Sequence, residues 1–574
     1  MPTTIAQEPA LDLFHAVVVA PSGLSTPENK AVEMLVEEVA ARSLARWTVR
    51  QEWPADDVPV VAMGPADKLS AFAPRFAAEV TGGAGKPEGY RLKTVGGRTA
   101  ATVLVVGDDA RGVLFGCGRL LREMAMTREA VSLATNLDIT TAPKMAVRGH
   151  QLGFRPKVNS YDGWTPVLWE QYYRDLIVFG TNAVELIPPR SDDDAESPHF
   201  PLPKIDMMVE MSQLAKDYGL ELWIWYPAMD RDYADPATVE SALKEWGEVF
   251  QRLPHISTIF VPGGDPGHTH PEALFNLLAK QTENLRQYHP NAQMWMSPQS
   301  FNPEWMEVFY GLMQAEPQWL GGIVYGPQNR VSLPVLREKI PAKYPIREYP
   351  DITHSLACQY AVPEWDPAYA LTENREVINP RPTQYAHIFR DCDDYAHGVI
   401  TYSEGCNDDV NKIVWSSLAW DPDADVVDVL RAYARYFIGA EYEESFAQGL
   451  LALEQNWVGP LLTNANVDTT LQQFEGLLEG ASPQVKLKWR FQQAIYRAYY
   501  DAYNRRRLLY ETALEQQAMD ALREADRLGA DLAMGRAEEI LERALTEPVA
   551  QDLRARVVKM AEALYQSIRM QLSV

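Results

Sequence analysis

The chain has 574 residues, several times the length of a typical single domain, so we expect two or three domains. Hydrophobic residues make up 46% and charged residues 23% of the chain, as in soluble globular proteins. No apolar run reaches the roughly 18 to 20 residues that a membrane span needs. The formal net charge of -25 would repel phosphate backbones and anionic lipids, so we expect neither nucleic acid nor membrane as a partner.

Cysteine usage and the first residues give an expectation about the cellular compartment. There are four cysteines without a C-x-x-C pair or metal-type spacing, so we expect free thiols: Cys117, Cys358, Cys392 and Cys406. The chain as far as Pro21 lacks a basic stretch followed by an apolar core and a small-residue cleavage site. We expect a cytoplasmic protein, or an exported one whose signal has been removed.

The first part of the chain predicts a small α/β domain, with bounds at 1–143. Short apolar runs such as HAVVVA, VPVVAMG and TAATVLVVGDD alternate there with helical stretches such as PENKAVEMLVEEVAARSLA. From Met145 a different pattern begins, in which an apolar strand ending in polar or aromatic residues is followed by an amphipathic helix.

This unit recurs eight times, which predicts a (β/α)8 barrel over 144–425 in an α/β fold. A doubly wound open sheet is the rival, but it has no reason to stop at eight strands. The predicted strands are AVRGHQLGF (146–154), NAVELIPP (182–189), LELWIWYP (220–227), STIFVPGGD (257–265), AQMWMSPQS (292–300), GGIVYGPQ (321–328), YPIREYPD (344–351) and GVITYSEG (398–405).

After Asp421 the strand pattern disappears, and repeated helical patterns rich in Ala, Leu, Glu, Gln and Arg predict a helical domain over 426–574. Its aromatic and leucine stripes are typical of the packed faces of a bundle. The long apolar helices also favour a homodimer through this domain.

Active sites of such barrels lie at the C-terminal ends of the strands, so polar residues there are candidates for chemistry. Strand four ends in Gly263-Gly264-Asp265-Pro266-Gly267, which holds one carboxylate in a tight backbone. Strand seven supplies Arg347, Glu348, Asp351 and His354, and strand eight supplies Tyr402, Glu404 and Asn407. Carboxylates therefore converge from three strands.

Cleavage of a glycosidic bond needs one carboxyl group to protonate the leaving oxygen and a second as nucleophile or base. We predict Asp265 paired with Glu348 or Glu404 as the catalytic groups, with Asp351 in reserve. The alternatives are structural: Asp265 as a helix cap, Glu348 as an ion-pair partner of Arg347 or a lysine, and Glu404 as an acceptor of backbone hydrogen bonds in the last loop.

Aromatic and polar residues near the strand ends suit sugar recognition, because sugars stack their CH-rich faces on rings while their hydroxyls need fixed polar partners. We predict that Trp225, Trp295 and Tyr325 provide the stacking surfaces. At the end of the first strand, His150 and Arg148 are predicted to contact substrate, with a structural ion pair as the alternative for Arg148. Arg347, His354, Tyr402 and Asn407 complete the predicted binding residues.

One segment resembles a known domain. Pro87-Glu88-Gly89-Tyr90-Arg91-Leu92, followed by LVVGDDARGVLFGCGRLLREM, is similar to the small α/β domain ahead of the barrel in family 20 β-N-acetylhexosaminidases and family 67 α-glucuronidases. The resemblance implies a structural role for this domain. It continues into AVRGHQLGF, which looks like the first barrel strand of these enzymes, whose arginine holds sugar hydroxyls; that arginine corresponds to Arg148.

The sequence departs from family 20 at strand four, where that family has Gly-Gly-Asp-Glu and this chain has Pro266 after Asp265. The substrate-assisted Asp-Glu mechanism is therefore doubtful, and a second carboxylate such as Glu348 or Glu404 is required. Family 67 has its acid in a strand-four loop and pairs it with later carboxylates, an arrangement that this chain also permits.

These features predict an exo-acting glycoside hydrolase of N-acetylhexosamine-containing glycans, with a carbohydrate as its partner and no cofactor. The alternatives are an α-glucuronidase-like hydrolase and a carbohydrate-binding barrel without turnover. A metal-dependent hydrolase using His150, His268, His270 and His354 is a third option, but HExxH and a strand-one HxH are absent from the sequence. We therefore expect no metal.

Overall fold

The computed structural model describes residues 10–572 except 79, 81, 96–100, 154–160, 192–196, 265, 357, 374–376 and 393. Two small sheets with helices come first, then a closed barrel of eight parallel strands, then a run of helices. The predicted fold class is therefore confirmed. The boundaries given above for the three domains stay predictions.

Two sheets form the N-terminal part. A six-stranded sheet has the order β3-β2-β4-β6-β5-β9, and a three-stranded antiparallel sheet has the order β1-β8-β7. The elements are β1 (Ala10–Asp12), β2 (Val17–Val19), α1 (Thr26–Ser43), β3 (Thr48–Arg50), β4 (Val60–Pro65), α2 (Leu69–Phe72), β5 (Tyr90–Val95), β6 (Thr102–Gly107), α3 (Ala110–Glu123), β7 (Ala125–Thr127), β8 (Ala130–Ala134) and β9 (Asp138–Thr141).

The turn from β6 into α3 explains the glycines of the motif that resembles the hexosaminidase domain. A Cβ atom on Gly107 would lie 2.2 Å from the backbone nitrogen of Val113, and one on Gly112 would lie 2.2 Å from the carbonyl oxygen of Gly89. Asp109 caps α3 by accepting from the N–H of Gly112 at 2.8 Å. The motif therefore serves close packing of a helix on a sheet.

The eight predicted barrel strands are all present, each parallel to its neighbours, and β10 pairs with β17 to close the barrel. Each strand lies within or at most one residue outside its predicted segment. They are β10 (Val147–Gln151), β11 (Ala183–Leu186), β12 (Glu221–Trp225), β13 (Thr258–Pro262), β14 (Gln293–Ser297), β15 (Leu320–Tyr325), β16 (Ile346–Glu348) and β17 (Gly398–Thr401).

Helices surround the barrel, and those that start on a proline (α4, α6, α7, α8, α10 and α11) lose no intrahelical hydrogen bond at that position. They are α4 (Pro166–Val178), α5 (Lys204–Tyr218), α6 (Pro236–Arg252), α7 (Pro271–Tyr288), α8 (Pro303–Gln314), α9 (Leu333–Lys339), α10 (Pro367–Ala370), α11 (Pro382–Cys392) and α12 (Asp409–Trp420).

A separate apolar cluster fills the barrel lumen and includes Trp223, Trp225, Phe260, Trp295 and Tyr349. Trp223 and Trp295 meet edge to face with ring centroids 5.1 Å apart. Their indole N–H groups donate to Glu221 and Gln293, the first residues of β12 and β14. These two rings therefore close the N-terminal end of the lumen.

The last part of the described chain is helical, as predicted. It consists of α13 (Val426–Phe437), α14 (Glu443–Gln455), α15 (Asn466–Gly480), α16 (Pro483–Lys486), α17 (Trp489–Arg523), α18 (Ala525–Leu528), α19 (Ala530–Thr546) and α20 (Gln551–Ile568), with short 3-10 turns elsewhere in the chain at Ala66–Lys68, Tyr161–Gly163, Cys406–Asp408 and Ala440–Tyr442.

The long helix α17 has two different halves. Its first half is buried, and Arg490 there forms a two-pronged ion pair with Asp409 and contacts Asp175 at 2.8 Å. Its second half packs on α19 and α20, which leave Leu532, Leu541 and Leu545 exposed. The homodimer stays a prediction. Within the described residues, the helices are too short or too polar to span a bilayer.

Candidate active site

Three neighbouring strands, β16, β17 and β10, end side by side at the C-terminal mouth of the barrel. The pairing of β16 with β17 continues beyond the strands as a bridge between Asp351 and Tyr402. This bridge brings together four predicted side chains, Asp351, His354, Tyr402 and Glu404, which we call the mouth cluster.

Asp351 orients His354. The Nδ1 atom of His354 lies 2.8 Å from Oδ2 of Asp351, and the backbone N–H groups of Thr353 and His354 donate to Oδ1 at 3.2 Å each. A carboxylate at Nδ1 places the proton of a neutral imidazole on that nitrogen and a lone pair on Nε2. Nε2 lies 3.6 Å from Oε1 of Glu404. Asp351 and Glu404 therefore lie next to the two different nitrogens of the same imidazole ring.

Glu404 is held from two further directions. The hydroxyl group of Tyr402 donates to its Oε1 atom. The turn behind it is fixed because Ser403 and Lys412 both donate to the carbonyl oxygen of Gly405, at 3.0 and 2.9 Å. Lys412 also pairs with Asp408, where burial outweighs the attraction of the lysine and raises the pKa of the carboxyl group to about 6.

A polar chain connects the mouth cluster with the lumen below it. The Tyr402 ring lies 5.7 Å from the ring of Tyr349, whose hydroxyl accepts from Nε2 of Gln151 at 2.6 Å. The same amide group donates to Oε1 of Glu185 at 3.2 Å. These three lumen residues were missed by the sequence predictions, although a glutamate inside the apolar run NAVELIPP is a signal of a polar barrel interior.

Arg347 lies in the lumen beneath the mouth cluster. Its Nη1 atom is 3.0 Å from Oε2 of Glu185, and its guanidinium group is 4.8, 4.9 and 5.3 Å from the ring centroids of Trp223, Phe260 and Tyr349. The arginine is completely buried. It is therefore a buried residue of the lumen, and the ion pair that the sequence suggested with Glu348 is formed with Glu185 instead.

Arg148 and His150 face away from the lumen, which corrects their predicted contact with substrate. Arg148 donates to Glu88 at 2.5 Å and to the carbonyl oxygens of Gly180 and Met145 at 2.8 and 2.7 Å. The structure therefore gives Arg148 the alternative role, a structural ion pair, with the glutamate of the PEGYRL segment as its partner.

His150 bridges Thr401 and Ser416 at 2.8 and 2.7 Å. Burial, together with Lys412, holds its pKa well below the usual range, so its ring is neutral. Both ring nitrogens are occupied by protein hydroxyls, and His150 is a packing residue between β10, β17 and α12.

Glu348 and Tyr325 also face outward, which corrects two further predictions. Alternation along β16 sends Glu348 to the opposite side from the lumen residue Arg347, and Tyr325 pairs with Glu348 in register on the same side. There, burial and the Glu348 carboxylate raise the pKa of the Cys392 thiol in α11 to about 12. Glu348 therefore lies outside the lumen, and its predicted pairing with Asp265 involves a residue outside the described ones and stays a prediction.

Of the other predicted binding residues, two lie in the barrel lumen and one supports a loop at its mouth. Trp225 and Trp295 both belong to the lumen cluster, and Trp295 lies at its closed N-terminal end, away from the mouth. Asn407 donates to the carbonyl oxygens of Thr353 and Val377 at 3.2 and 3.0 Å. Asn407 thus supports the segment that carries His354, and this corrects its predicted contact with substrate.

Asp265 lies outside the described residues, so its predicted role stays a prediction. The two glycines before it are required by close backbone contacts. A Cβ atom on Gly263 would lie 2.4 Å from the carbonyl oxygen of Ser297, and one on Gly264 would lie 2.7 Å from the carbonyl oxygen of Gln299. Within the part of the chain that the structure describes, His, Cys, Asp and Glu side chains form no group of three or more suited to a metal ion.

The mouth cluster can store and direct one proton. With the Nδ1 proton directed to Asp351, Nε2 of His354 and Oε1 of Glu404 face each other 3.6 Å apart, and either atom can carry a further proton. A protonated Glu404 can serve as a general acid, since Tyr402 and His354 fix its orientation. Asp351 serves to position the ring of His354.

Comparisons with known proteins found similarity in structure alone. No family model matches the chain, and no curated protein matches its sequence. One similar structure is that of a GH138 enzyme targeting pectin rhamnogalacturonan II, with 9% identity, a TM-score of 0.56, and coverage of 98% of this chain and 75% of that one.

Two further structures have the same fold. BtGH115A, a family GH115 4-O-methyl-alpha-glucuronidase with specificity for decorated arabinogalactans, has 11% identity and a TM-score of 0.59, covering 98% of this chain and 80% of its own. CpGH84B has 12% identity and a TM-score of 0.55, covering 98% and 94%. The chain therefore has the fold that these three proteins, from glycoside hydrolase families GH138, GH115 and GH84, share over almost its whole described length.

Proposed function

We propose that this protein is a glycoside hydrolase in which Glu404 is the general acid. The observation that carries the proposal is the mouth cluster, where Glu404 accepts a hydrogen bond from the Tyr402 hydroxyl and faces His354, itself fixed by Asp351. The cluster lies at the C-terminal end of a closed barrel, where catalytic residues of such barrels are found. The shared fold with glycoside hydrolases supports the same reaction class.

In the proposed reaction, Glu404 gives its proton to the glycosidic oxygen as the bond to the anomeric carbon breaks. A second carboxylate either attacks the anomeric carbon or removes a proton from the attacking water. Asp265 is our candidate for this group, because it follows β13, which stands four positions from β17 in the ring of eight strands. Carboxylates from opposite sides of the mouth would flank the scissile bond.

For the substrate we propose, first, an N-acetylhexosamine at the end of a glycan, cleaved in an exo manner. This rests on the resemblance of PEGYRL and the following helix entry to the domain ahead of the hexosaminidase barrel. A uronic acid side chain is the second candidate, and the α-glucuronidase with the same fold favours it. The two candidates differ in charge and are easily separated by experiment.

The test is hydrolysis of a panel of aryl glycosides: β-N-acetylglucosaminide, β-N-acetylgalactosaminide, α- and β-glucuronide, β-glucoside and β-galactoside. Release of the aryl group from one hexosaminide supports the first substrate, and release from a glucuronide supports the second. Binding of a sugar by calorimetry without any cleavage would contradict the hydrolase and leave a carbohydrate-binding barrel.

Asp351→Asn should lower kcat by about a hundredfold to ten-thousandfold with little loss of stability. The amide keeps an oxygen for the backbone N–H groups of Thr353 and His354 but presents N–H to Nδ1, which moves the ring proton to Nε2. Glu404 then faces a donor and stays a carboxylate, so it cannot act as an acid.

The ring tautomer of His354 can be read by nitrogen NMR independently of turnover, and kcat is measured on the substrate that the panel identifies. Asp235→Asn is the matched control, since Asp235 caps α6 on the surface and asparagine caps helices equally well. An unchanged tautomer together with an unchanged kcat would contradict the positioning role of Asp351.

A further inference from the structure

One face of α17 touches both loops that carry the mouth cluster. The strand-eight loop, residues 402–408, contains Glu404, and the strand-seven loop contains Asp351 and His354 in its described parts 349–356, 358–373 and 377–381. Gln493, Arg497 and Tyr500 are spaced by four and three residues, so they project from the same side of the helix. All three are buried.

The contact with the strand-eight loop is made by Gln493. Its amide group donates to the carbonyl oxygen of Cys406 at 3.0 Å, two residues beyond Glu404. Lys412 donates to the neighbouring carbonyl of Gly405 at 2.9 Å. The turn behind the proposed acid is thus held from α12 on one side and from α17 on the other.

The contact with the strand-seven loop is made by Arg497 and Tyr500. Nη1 of Arg497 donates to Oε1 of Glu373 at 2.5 Å, and the Tyr500 hydroxyl donates to the carbonyl oxygen of Thr372 at 2.6 Å. The remaining side of the guanidinium group is held by Asp501, one turn further along α17. The planar guanidinium group of arginine presents donors on different edges and can hold two carboxylates at once. The compact ammonium group of lysine would not reproduce this geometry.

The far end of the same loop is connected to His354. Beyond Glu373, Val377 accepts from Asn407 at 3.0 Å, and Asn379 donates to the carbonyl oxygen of Thr353 at 3.0 Å. Asn407 donates to that oxygen as well, at 3.2 Å. In the described parts of this loop, α17 thus holds Thr372 and Glu373, and Asn379 is hydrogen-bonded to the backbone beside His354.

We propose that Gln493, Arg497 and Tyr500 are positioning residues, through which the C-terminal helices set the distance between His354 and Glu404. This rests on the function proposed above. None of the three touches the mouth cluster itself, so they act through the two loops. The helical part of the chain is then a component of the active site and not only a neighbouring bundle.

The test compares Arg497→Met and Tyr500→Phe with the wild type in the full-length protein. We expect kcat to fall about tenfold or more for Arg497→Met and about threefold for Tyr500→Phe, with KM changed less than about threefold, because small displacements of reacting groups reduce kcat steeply. Amide hydrogen exchange should increase in residues 362–373 and 402–408 of both variants. Tyr500→Phe removes one hydroxyl group and keeps the ring, so it tests the proposal if Arg497→Met fails to fold.

Arg507→Met is the control, because Arg507 lies on the same helix and pairs with Glu511 of that helix at 2.9 Å. It should leave kcat and loop exchange unchanged. Folded Arg497→Met or Tyr500→Phe protein with wild-type kcat and wild-type exchange in both loops would overturn the proposal. If the wild type cleaves none of the glycosides, the hydrolase proposal fails, and the exchange data alone decide whether α17 orders the two loops.

Discussion

Glu404→Gln should lower kcat on an unactivated glycoside by about a thousandfold, in line with the contribution of a positioned general acid. Glutamine keeps the size of the side chain and can still accept from the Tyr402 hydroxyl, but it has no proton to give to the leaving oxygen. The circular dichroism spectrum and melting temperature should stay close to the wild type. Steady-state kinetics on the substrate identified by the panel measures the effect.

The leaving group provides an internal control. A dinitrophenyl glycoside needs almost no proton to depart, so Glu404→Gln should lose far less activity on it than on a simple alkyl glycoside. Glu348→Gln is the matched variant, because Glu348 is equally buried but faces α11, and its kcat should stay within about threefold of the wild type. An equal loss on both leaving groups would contradict the acid role of Glu404.

Arg148→Met should lower the free energy of unfolding by about 3 to 5 kcal/mol, the usual cost of removing one partner of a buried ion pair. Arg148 is completely buried and connects the start of the barrel with Glu88 of the small α/β part. When the Arg148 guanidinium group is removed, the Glu88 carboxylate keeps the hydrogen bonds from Arg111 and Asn182. Urea unfolding of the variant and the wild type measures the difference.

Arg190→Met serves as the comparison, since its ion pair with Asp230 is exposed and should contribute less than about 1 kcal/mol. Equal effects of the two substitutions would contradict a special role of Arg148 in joining the two parts. If Arg148 instead contacted substrate, KM would rise and stability would change little.

The same pair predicts a dependence of stability on pH. Burial raises the pKa of Glu88, but the attraction of Arg148 and Arg111 outweighs it, so the folded-state pKa lies below the ordinary value of 4.5. The stabilisation that the ionised Glu88 carboxylate contributes is therefore fully present above its ordinary pKa of 4.5. It is lost as the pH falls through the lower pKa of the folded state. The stability advantage of the wild type over Glu88→Gln should be constant near neutral pH and shrink in acid.

The architecture was predictable from sequence because it depends on local periodicity. Strands of alternating or continuous apolar residues and helices with a 3.6-residue period recur eight times, and each predicted barrel strand is found in the structure. Strand ends are also local, so Asp351, His354, Tyr402 and Glu404 could be selected as candidates before any contact between them was known. The direction of a barrel mouth follows from chain direction alone.

The face on which each side chain lies could not be predicted, because it depends on the register of neighbouring strands. Arg347 and Glu348 are adjacent in the sequence, yet one pairs with Glu185 in the lumen and the other faces Cys392 outside it. A shift of one residue would exchange them. Arg148 shows the same effect, since its partner Glu88 is sixty residues away in the small α/β part.

By itself, the amino-acid sequence determined the order of the three parts, the eight barrel strands and the strand ends on which polar residues are concentrated, since all of these depend on neighbours within a few residues. Only the tertiary structure decided that Asp351 serves His354, that Glu404 faces it, and that α17 holds both loops in place. Those relations join residues up to 128 positions apart, and they exist only once the barrel has closed and the C-terminal helices have packed against it.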